Sequence, residues 1–403
     1  MPLATGELTA DPARRTARRP VPAPTDLDRW ILACFVAWLI VVGIGLFVCL
    51  RVFAPSLSLH QGFRNIVVNS DAGWLRQIDV RGYQWTGSTN VTSDIAFLPL
   101  YPLVVGALHA LGLGWNGSAF LVSALCQGLM LVLLGRLLVA SQASTAQVKW
   151  AIGFALLYPA ALFAVTGFAT SMLGLLVVGA LLAHRRGHVT LAFVVAGLAT
   201  AVYYTALALP VALVVAEVRA RGVRAVLSPL GVGRMLLGVS GVVGFMVYLG
   251  ARFHHPFASL AVQQAWTGTA SLGTVLRRMV TLSPVPNGVL GYIGQRQLAD
   301  LSHLLDAPFL LLLIVAAVWL LSGRHGIETW LLAGGAALVL YNSAKAGYPF
   351  SVIRLSYPFW LVLPMNARFR GLLDRLSWAI PYLGCLAISC FWLTLLAQRL
   401  FTD

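Results

Sequence analysis

Charged residues are scarce in this sequence. Only 10% of its 403 residues are charged, whereas a soluble domain carries about 25%. Acidic residues are the rarest of them, with 13 Asp and Glu in total, and 59% of the chain is hydrophobic. Together with a mean hydropathy of +0.83, this composition excludes a soluble globular protein and predicts a chain that is solvated mostly by lipid.

Paired cysteines and clusters of metal-binding residues are also missing. The five cysteines fall in apolar segments and none belongs to a Cys-x-x-Cys pair. We therefore expect them to be small buried side chains rather than disulfides or metal ligands. No other group of residues has the spacing of a metal cluster. The sequence therefore predicts no metal ligand and no certain cofactor, and it leaves a need for a divalent metal open.

Lysine is almost absent, and the positive charge comes from arginine. Of 28 basic residues only Lys149 and Lys345 are lysines, and the formal net charge is +15. The basic residues lie in short clusters between apolar runs, where positive-inside topology and anionic headgroups account for them. The charge therefore predicts membrane lipids as partners, and no nucleic acid.

Long apolar runs organise the chain. An arginine-rich tail, residues 1–29, precedes the first run, and we expect this tail to be disordered and cytoplasmic. Residues 30–403 are predicted to form a single all-α polytopic membrane domain with about 11 transmembrane helices. The apolar runs lie near 30–52, 95–111, 117–139, 149–166, 169–183, 189–217, 232–251, 305–321, 327–344, 350–365 and 376–397.

Two ambiguous runs decide the topology. The run 95–111 is short and has two prolines near its start, and the run 189–217 is too long for one ordinary span. If both cross once, several basic connections face outward, against the positive-inside tendency. If 95–111 stays outside and 189–217 breaks at 203–205, those connections face the cytoplasm. The second alternative is preferred, and it places the N-terminus in the cytoplasm and the C-terminus outside.

This topology gathers irregular segments on the extracytoplasmic face. Irregular backbone at membrane depth persists only where protein or a watery cavity covers it. We therefore expect a cavity at the outer leaflet, although ordinary connections are the alternative. The segments are the first extracytoplasmic loop 53–116, the turn 166–170, the break 203–205, the second large outer loop 252–304 and the turn 345–350.

Five acidic residues remain on the outer face, and Asp71 is the most informative of them. The segment 71–83 predicts a short interfacial helix that ends at Gly82, with Trp74 and other apolar side chains on one face. Asp71 begins this helix. It acts either as an N-cap, which Asp suits well, or as a carboxylate at the mouth of the cavity. The five acids are Asp71, Asp79, Asp94, Asp300 and Asp306.

Three motifs in the first outer loop carry a family resemblance. The stretches 70–74 (S-D-A-G-W), 82–83 (G-Y) and 96–103 (A-F-L-P-L-Y-P-L) resemble the PIG-V-like mannosyltransferases. Bacterial members of that family typically have W-D-A-G-W-Y, H-G-Y and A-F-F-P-L-Y-P-L there. Similarity spans roughly residues 30–365 in the same order, and it continues through 158–160, 166–171, 185–187, 255–266 and 353–359.

The resemblance implies a fold and an activity. The family has the C-type glycosyltransferase fold, whose long first outer loop contains interfacial helices and a catalytic Asp. It takes the sugar from a polyprenyl-phosphate donor. The implied reaction is transfer of mannose to an extracytoplasmic lipid or glycan acceptor, with Asp71 as general base.

The other candidate site residues follow from the needs of that reaction. A leaving phosphate requires cationic partners, and guanidinium groups bind phosphate in a bidentate manner. Each candidate also has a plain structural alternative, such as an interfacial anchor, a solvated helix end or a packing residue. The substrate-binding candidates are Arg354, His255 and His254 for the phosphate, Asp94 for the acceptor or a metal, and Trp74 and Tyr101 for the lipid chain.

Two departures from the family pattern leave alternatives open. Thr170 stands where the family has Glu, and the family's Arg has no counterpart near 202–204. A non-catalytic polyprenyl-lipid-binding or assembly subunit of the same fold is therefore the second hypothesis. A transporter is the third hypothesis. It ranks last because coupled transporters usually keep intramembrane charges and internal repeats, and this sequence lacks both.

Overall fold

The structure, a computed structural model, describes most of the first 267 residues and a smaller part of the remainder. The described residues are 26–53, 55–68, 71–267, 270–271, 273–275, 277, 306–307, 309–318, 326–346, 351–361 and 384. The predicted tail up to residue 25, most of the second outer loop and, apart from residue 384, the predicted last span 376–397 lie outside the described residues.

The described part of the chain is all-helical and contains no strand. Short 3₁₀ helices and one π-type turn connect several of the α-helices. The α-helices are α1 Asp26–Phe53, α2 Leu59–Val67, α3 Asp71–Arg81, α4 Leu100–Leu108, α5 Trp115–Ala140, α6 Thr145–Leu157, α7 Thr170–Arg185, α8 Val189–Thr200, α9 Ala208–Arg221, α10 Val223–Val226, α11 Pro229–Phe253, α12 Ala258–Thr267, α13 Phe309–Val318, α14 Ile327–Ala346 and α15 Val352–Trp360.

Within the described residues, three helices are long and apolar enough to cross a membrane. They are α1, α5 and α11, and a bent pair of helices raises the number to four if it counts as one span. Shorter apolar helices, among them α7, α8 and α13, accompany them. The helix at Leu100–Leu113 is also short, and it falls below the roughly 20 residues that a single crossing requires.

Two sequence predictions about local structure are confirmed. The helix predicted after residue 70 is α3, which begins at Asp71 and ends at Arg81, and the following Gly82 has a φ of +67°. Glycine adopts this left-handed conformation without steric cost, so it ends the helix. The run 189–217 breaks as predicted, because α8 ends at Thr200 and a 3₁₀ turn at Tyr204–Leu207 precedes α9.

The structure adds a bend to one apolar run and corrects one bound of the tail. The run 149–166 bends where α6 and the 3₁₀ helix Pro159–Val165 meet at 70°. Pro159 has no N–H to continue the α-helical ladder, which explains the bend. The tail also ends earlier than residue 29. Helix α1 begins at Asp26, and the buried Asp28 carboxylate accepts a 2.9 Å hydrogen bond from Arg136.

Polar contacts join the helix ends that the sequence predicts to lie in the cytoplasm. Besides the Asp28–Arg136 pair, Arg185 at the end of α7 contacts both Ser141 and Glu328, which lies in the first turn of α14. His184 lies 3.3 Å from Glu217 near the end of α9. One set of helix ends therefore meets at one place in the fold.

Contacts also join the five segments predicted to lie outside, which confirms that they meet one another. Backbone or side-chain hydrogen bonds link the first outer loop to the turn 166–170, to the break near 203 and to α12, and they link the start of the second outer loop to α14. The bonds are Gly167–Val67, Leu100–Ala201, Gln263–Ala96, Tyr204–Ser259 and Ala270–Lys345.

Candidate functional site

An ion pair between Asp71 and Arg354 lies at the centre of the meeting segments. The Arg354 Nη1 donates a hydrogen bond to the Asp71 Oδ2, across 283 positions of sequence. The two side chains are only 16% and 13% exposed, so the pair is largely removed from water. It joins the first residue of α3 to the first turn of α15. Asp71 is therefore not merely a helix cap in open solvent.

Asp306 holds the start of the helix that carries Arg354. Its Oδ1 accepts a hydrogen bond from the Ile353 N–H at 2.9 Å, and the backbone N–H groups of Ser351 and Val352 also interact with this carboxylate. A carboxylate at this position satisfies N–H groups that have no partner within the helix. Asp306 also lies within electrostatic reach of Arg354. The guanidinium group is thus influenced by two carboxylates.

Buried polar contacts fix the remainder of α15 against the helical core. The Tyr357 hydroxyl accepts a hydrogen bond from Gln127 at 2.7 Å and donates one to the Ala155 carbonyl at 3.0 Å. The Tyr158 ring stacks on Tyr357, with ring centroids 5.2 Å apart. Because these side chains are fully buried and interlocked, they fix the position from which Arg354 extends.

The turn before α7 provides the surface on which Arg354 rests. The Arg354 guanidinium carbon lies 5.1 Å from the centre of the Phe168 ring, a cation–π arrangement. Next to it, the Gly167 amide donates to the Val67 carbonyl at 3.0 Å. A Cβ at position 167 would lie 2.7 Å from that oxygen and 3.2 Å from the Ala72 Cβ. The turn therefore approaches α3 closely only because residue 167 is glycine.

Tyr203, in the break between α8 and α9, completes the surroundings of the ion pair. Its hydroxyl interacts electrostatically with both Asp71 and Arg354, and it faces the Thr170 side chain. Thr170 is 1% exposed, and its Oγ1 has no hydrogen bond of ordinary geometry among the described residues. The position that is Glu in the resembling family is therefore close to the pair and occupied by a neutral hydroxyl.

The Arg354 side chain has a buried donor that the Asp71 carboxylate does not use. Its Nε is buried and has no hydrogen-bond acceptor in the part of the chain that the structure describes. A buried donor without a partner costs free energy, which an oxyanion placed beside it would recover. The arrangement offers a carboxylate for proton transfer next to a guanidinium that can bind an anion.

Trp74 and Tyr101 pack within the protein. The Trp74 ring stacks on Phe97, with centroids 6.4 Å apart and an interplanar angle of 19°. Tyr101 is fully buried, and its hydroxyl lies 2.8 Å from the Ser123 hydroxyl, which in turn donates to the Phe168 carbonyl at 3.2 Å. Tyr101 thus supports the turn under Arg354. Direct contact of either ring with a lipid chain stays a prediction.

Asp94 organises the first outer loop. It is 1% exposed, and both carboxylate oxygens accept from the Gln84 N–H, at 3.0 and 3.1 Å. Burial raises the pKa of this carboxyl group above its ordinary value, and the Gln84 N–H opposes that shift. Its own burial, and then the charge of Asp94, raise the pKa of the neighbouring Tyr83 hydroxyl. Contact of Asp94 with an acceptor or a metal stays a prediction.

The two candidate histidines lie after α11. Both are exposed, and His254 has a left-handed backbone with a φ of +57°. The His255 ring packs edge-on against Trp85, with ring centroids 5.3 Å apart. Among the described residues no hydrogen bond or ion pair joins either histidine to Asp71 or Arg354. The structure thus brings together Asp71 and Arg354 but not the histidines.

An apolar groove lies between α4 and α5, apart from the residues around Asp71. It has a volume of about 440 Å³, and none of its lining residues belongs to the cluster around Asp71. The lining comes from α4, the turn that follows it and α5: Leu103, Val104, Ala107, Leu108, Leu111, Val122, Leu125, Cys126 and Leu129.

Sequence reasoning missed several residues of the site. The sequence indicates Tyr203 only as part of a helix break, and Asp306 only as an outward acid without a role. Phe168 and Gly167 belong to a sequence motif that does not reveal the contact of Phe168 with Arg354 or the approach of Gly167 to α3. The scarcity of acids was a usable signal for Asp306, because any outward carboxylate in so apolar a chain requires an explanation.

Neither a metal cluster nor a known relative identifies the site. Among the described residues no three His, Cys, Asp or Glu side chains form a group that could bind a metal ion. The candidate site therefore rests on its own geometry, namely a buried carboxylate–guanidinium pair at a junction of irregular segments. Comparison of the chain with family models, curated proteins and solved structures finds no match.

Proposed function

We propose that this chain is a membrane glycosyltransferase. It transfers a sugar, mannose according to the resemblance, from a polyprenyl-phosphate donor to an extracytoplasmic lipid or glycan acceptor. The observation that carries the proposal is the buried pair of Asp71 and Arg354. A base and an anion-binding group are the two functions that the reaction requires, and the loop motif that resembles the family supplies Asp71.

The proposed sidedness is a cytoplasmic N-terminus and an extracytoplasmic site in a multi-pass cell-membrane protein of about 11 spans. Its support comes from charge and from contacts. The arginine-rich helix ends contact one another, as in the Asp28–Arg136 and Arg185–Glu328 pairs. The segments around Asp71 form a separate group, and this division into two faces agrees with the positive-inside tendency.

In the proposed reaction the acceptor hydroxyl oxygen attacks the anomeric carbon of the donor sugar. The bond from that carbon to the phosphate oxygen breaks, and polyprenyl phosphate leaves with the electron pair. Asp71 accepts the hydroxyl proton, and Arg354 binds the phosphate as its charge develops. General-base assistance typically contributes about 10²- to 10⁴-fold to such a rate. The apolar groove beside α4 offers a surface for part of the prenyl chain.

A transfer assay tests this proposal. Membranes that contain the wild-type chain or the Asp71→Asn variant are incubated with radiolabelled polyprenyl-phosphate-mannose, and label in the lipid and glycan fractions is counted. We expect Asp71→Asn to lower transfer at least about 100-fold. Asp79→Asn is the matched control, because Asp79 lies on the same helix but pairs with His109. Equal transfer by Asp71→Asn and wild type removes Asp71 from the catalytic role.

A non-catalytic lipid-binding or assembly subunit is the second candidate function. Thr170 favours it, because a neutral side chain occupies a buried position beside the ion pair where the resembling family has an acid. This candidate predicts binding of polyprenyl phosphate without turnover by the wild-type chain. A Thr170→Glu variant in the same assay separates the two, since transfer that appears only in that variant indicates that the natural site binds without catalysis.

A further inference from the structure

The Asp71–Arg354 pair places the proposed base in the position that a phosphate would occupy. In a catalytic cycle a general base must be free to accept a proton, yet the Asp71 carboxylate is bound to the guanidinium. Both side chains are largely buried, so their attraction is weakly screened by water. Binding of the donor and release of the base are therefore linked events.

The two partners of the pair are held to different degrees. Arg354 rests on the Phe168 ring, lies near the Asp306 carboxylate and extends from a helix fixed in the core. Among the described residues, Asp71 has no hydrogen-bond partner other than Arg354. In the described part of the chain, displacement of the carboxylate breaks one hydrogen bond, whereas displacement of the guanidinium also removes its contact with Phe168 and its attraction to Asp306. Asp71 is accordingly the partner that moves.

An incoming phosphate is a suitable competitor for the guanidinium. It brings several oxygens, and guanidinium groups bind such anions through two N–H donors at once. The buried Arg354 Nε is a donor that Asp71 does not use. A phosphate next to an undisplaced Asp71 carboxylate would also place two like charges together, which is unfavourable.

We infer that Asp71 is an exchangeable counter-ion for the Arg354 phosphate site. The carboxylate pairs with the guanidinium while the site is empty, and an incoming phosphate displaces it. The role of the released carboxylate as base rests on the proposed function, whereas the exchange itself does not. The exchange makes the base available only when a phosphate is bound.

Binding measurements on the purified full-length chain in detergent test this inference. The probes are farnesyl phosphate, inorganic phosphate and farnesol, and the proteins are wild type, Asp71→Asn and the control Asp79→Asn. Because the neutral amide competes poorly for Arg354, we expect Asp71→Asn to bind farnesyl phosphate about tenfold more tightly than wild type. Asp79→Asn should match wild type. Equal or weaker binding by Asp71→Asn overturns the inference.

The two phosphate probes distinguish the source of the anion. Tighter binding of farnesyl phosphate alone indicates a lipid-linked phosphate, and tighter binding of both probes indicates a site for phosphate in general. Both results support the exchange. Farnesol should bind equally to wild type and Asp71→Asn, because it carries no anion. A tenfold change with farnesol as well would overturn the inference, since the effect would then not depend on charge.

A measurement on the wild-type chain removes dependence on the folding of a variant. Carbodiimide labelling of Asp71, read by mass spectrometry, should increase when farnesyl phosphate is added, because the carboxylate loses its partner. Unchanged or reduced labelling overturns the exchange. The outcomes also separate the two proposals: tighter binding by Asp71→Asn without wild-type transfer keeps the exchange and rejects the transferase. Transfer without tighter binding rejects only the exchange.

Discussion

The Gly167 amide donates a hydrogen bond to the Val67 carbonyl at 3.0 Å, and this contact sets how closely the turn before α7 approaches the first outer loop. Phe168, the next residue, lies under the Arg354 guanidinium. Asp71 follows Val67 by only four positions and pairs with the same guanidinium. The backbone contact therefore holds the turn that carries Phe168 next to the loop segment that carries Asp71, so that both residues contact Arg354.

The Gly167→Ala variant should destabilise the protein and weaken the site. Its Cβ would lie 2.7 Å from the Val67 oxygen and 3.1 Å from the Trp115 ring. Overpacking of this kind typically costs about 1–3 kcal/mol. Thermal unfolding in detergent measures the loss. Gly117→Ala is the control, since a Cβ there meets no atom within 4 Å, and equal midpoints for the two variants would contradict the close approach.

A double-mutant cycle should show strong coupling between Asp71 and Arg354. Removal of one partner leaves a buried charge without a partner, which typically costs about 3–5 kcal/mol, whereas removal of both leaves none. We expect Asp71→Asn and Arg354→Gln together to cost less than the sum of the single variants, with a coupling of about 1–3 kcal/mol. Denaturant or thermal unfolding supplies the four free energies. Additive effects would show that the pair contributes nothing to stability.

The sequence predicted the parts of this fold that depend on local patterns. The periodicity of 71–83 and Gly82 gave α3 with correct ends, and the excessive length of 189–217 indicated the break that the structure has after Thr200. Arginine clusters predict which connections share the cytoplasmic face, and several of the helix ends beside them contact one another. Each of these features is determined by residues within one or two turns of one another, so a single sequence contains the information.

The partners within the site could not be predicted in the same way. The chemistry of guanidinium groups predicts Arg354 as a phosphate ligand, but its hydrogen bond to Asp71 joins residues 283 positions apart. The approach of Tyr203 depends on how two helices pack, and no spacing encodes that. The sequence groups His255 with Arg354 because both are basic residue types predicted to face outward, yet the structure packs the His255 ring against Trp85. Tertiary packing, rather than residue type, decided these contacts.

Asp306 should act as a positioning residue for Arg354. Its carboxylate accepts the Ile353 N–H at 2.9 Å, so Asp306→Ala removes a helix cap and is expected to cost about 1 kcal/mol in the free energy of unfolding. Asp306→Asn keeps an acceptor oxygen and should lose less than half as much. Thermal unfolding compares them. The exposed Asp26→Ala is the control, expected to leave the midpoint unchanged, because surface ion pairs contribute little.

Asp94 should make the stability of the first outer loop depend on pH. Burial raises the pKa of its carboxyl group in the folded chain, so folding favours the neutral acid. That contribution is fully present below the ordinary pKa of 3.8 in the unfolded chain, and it is lost as pH rises through the higher folded pKa. The wild-type protein should therefore lose stability over this interval relative to a variant that cannot ionise at position 94.

Asp94→Asn is that variant, because its amide oxygen still accepts the Gln84 N–H while the charge is absent. Thermal midpoints of both proteins are measured in detergent from below pH 4 to neutral pH, and the difference between them is taken at each pH. Other titrating groups contribute equally to both proteins and cancel. The wild-type midpoint should fall relative to Asp94→Asn as pH rises. A constant difference would indicate that the buried carboxyl group keeps its ordinary pKa, with its hydrogen bonds from Gln84 and Ser93 offsetting burial completely.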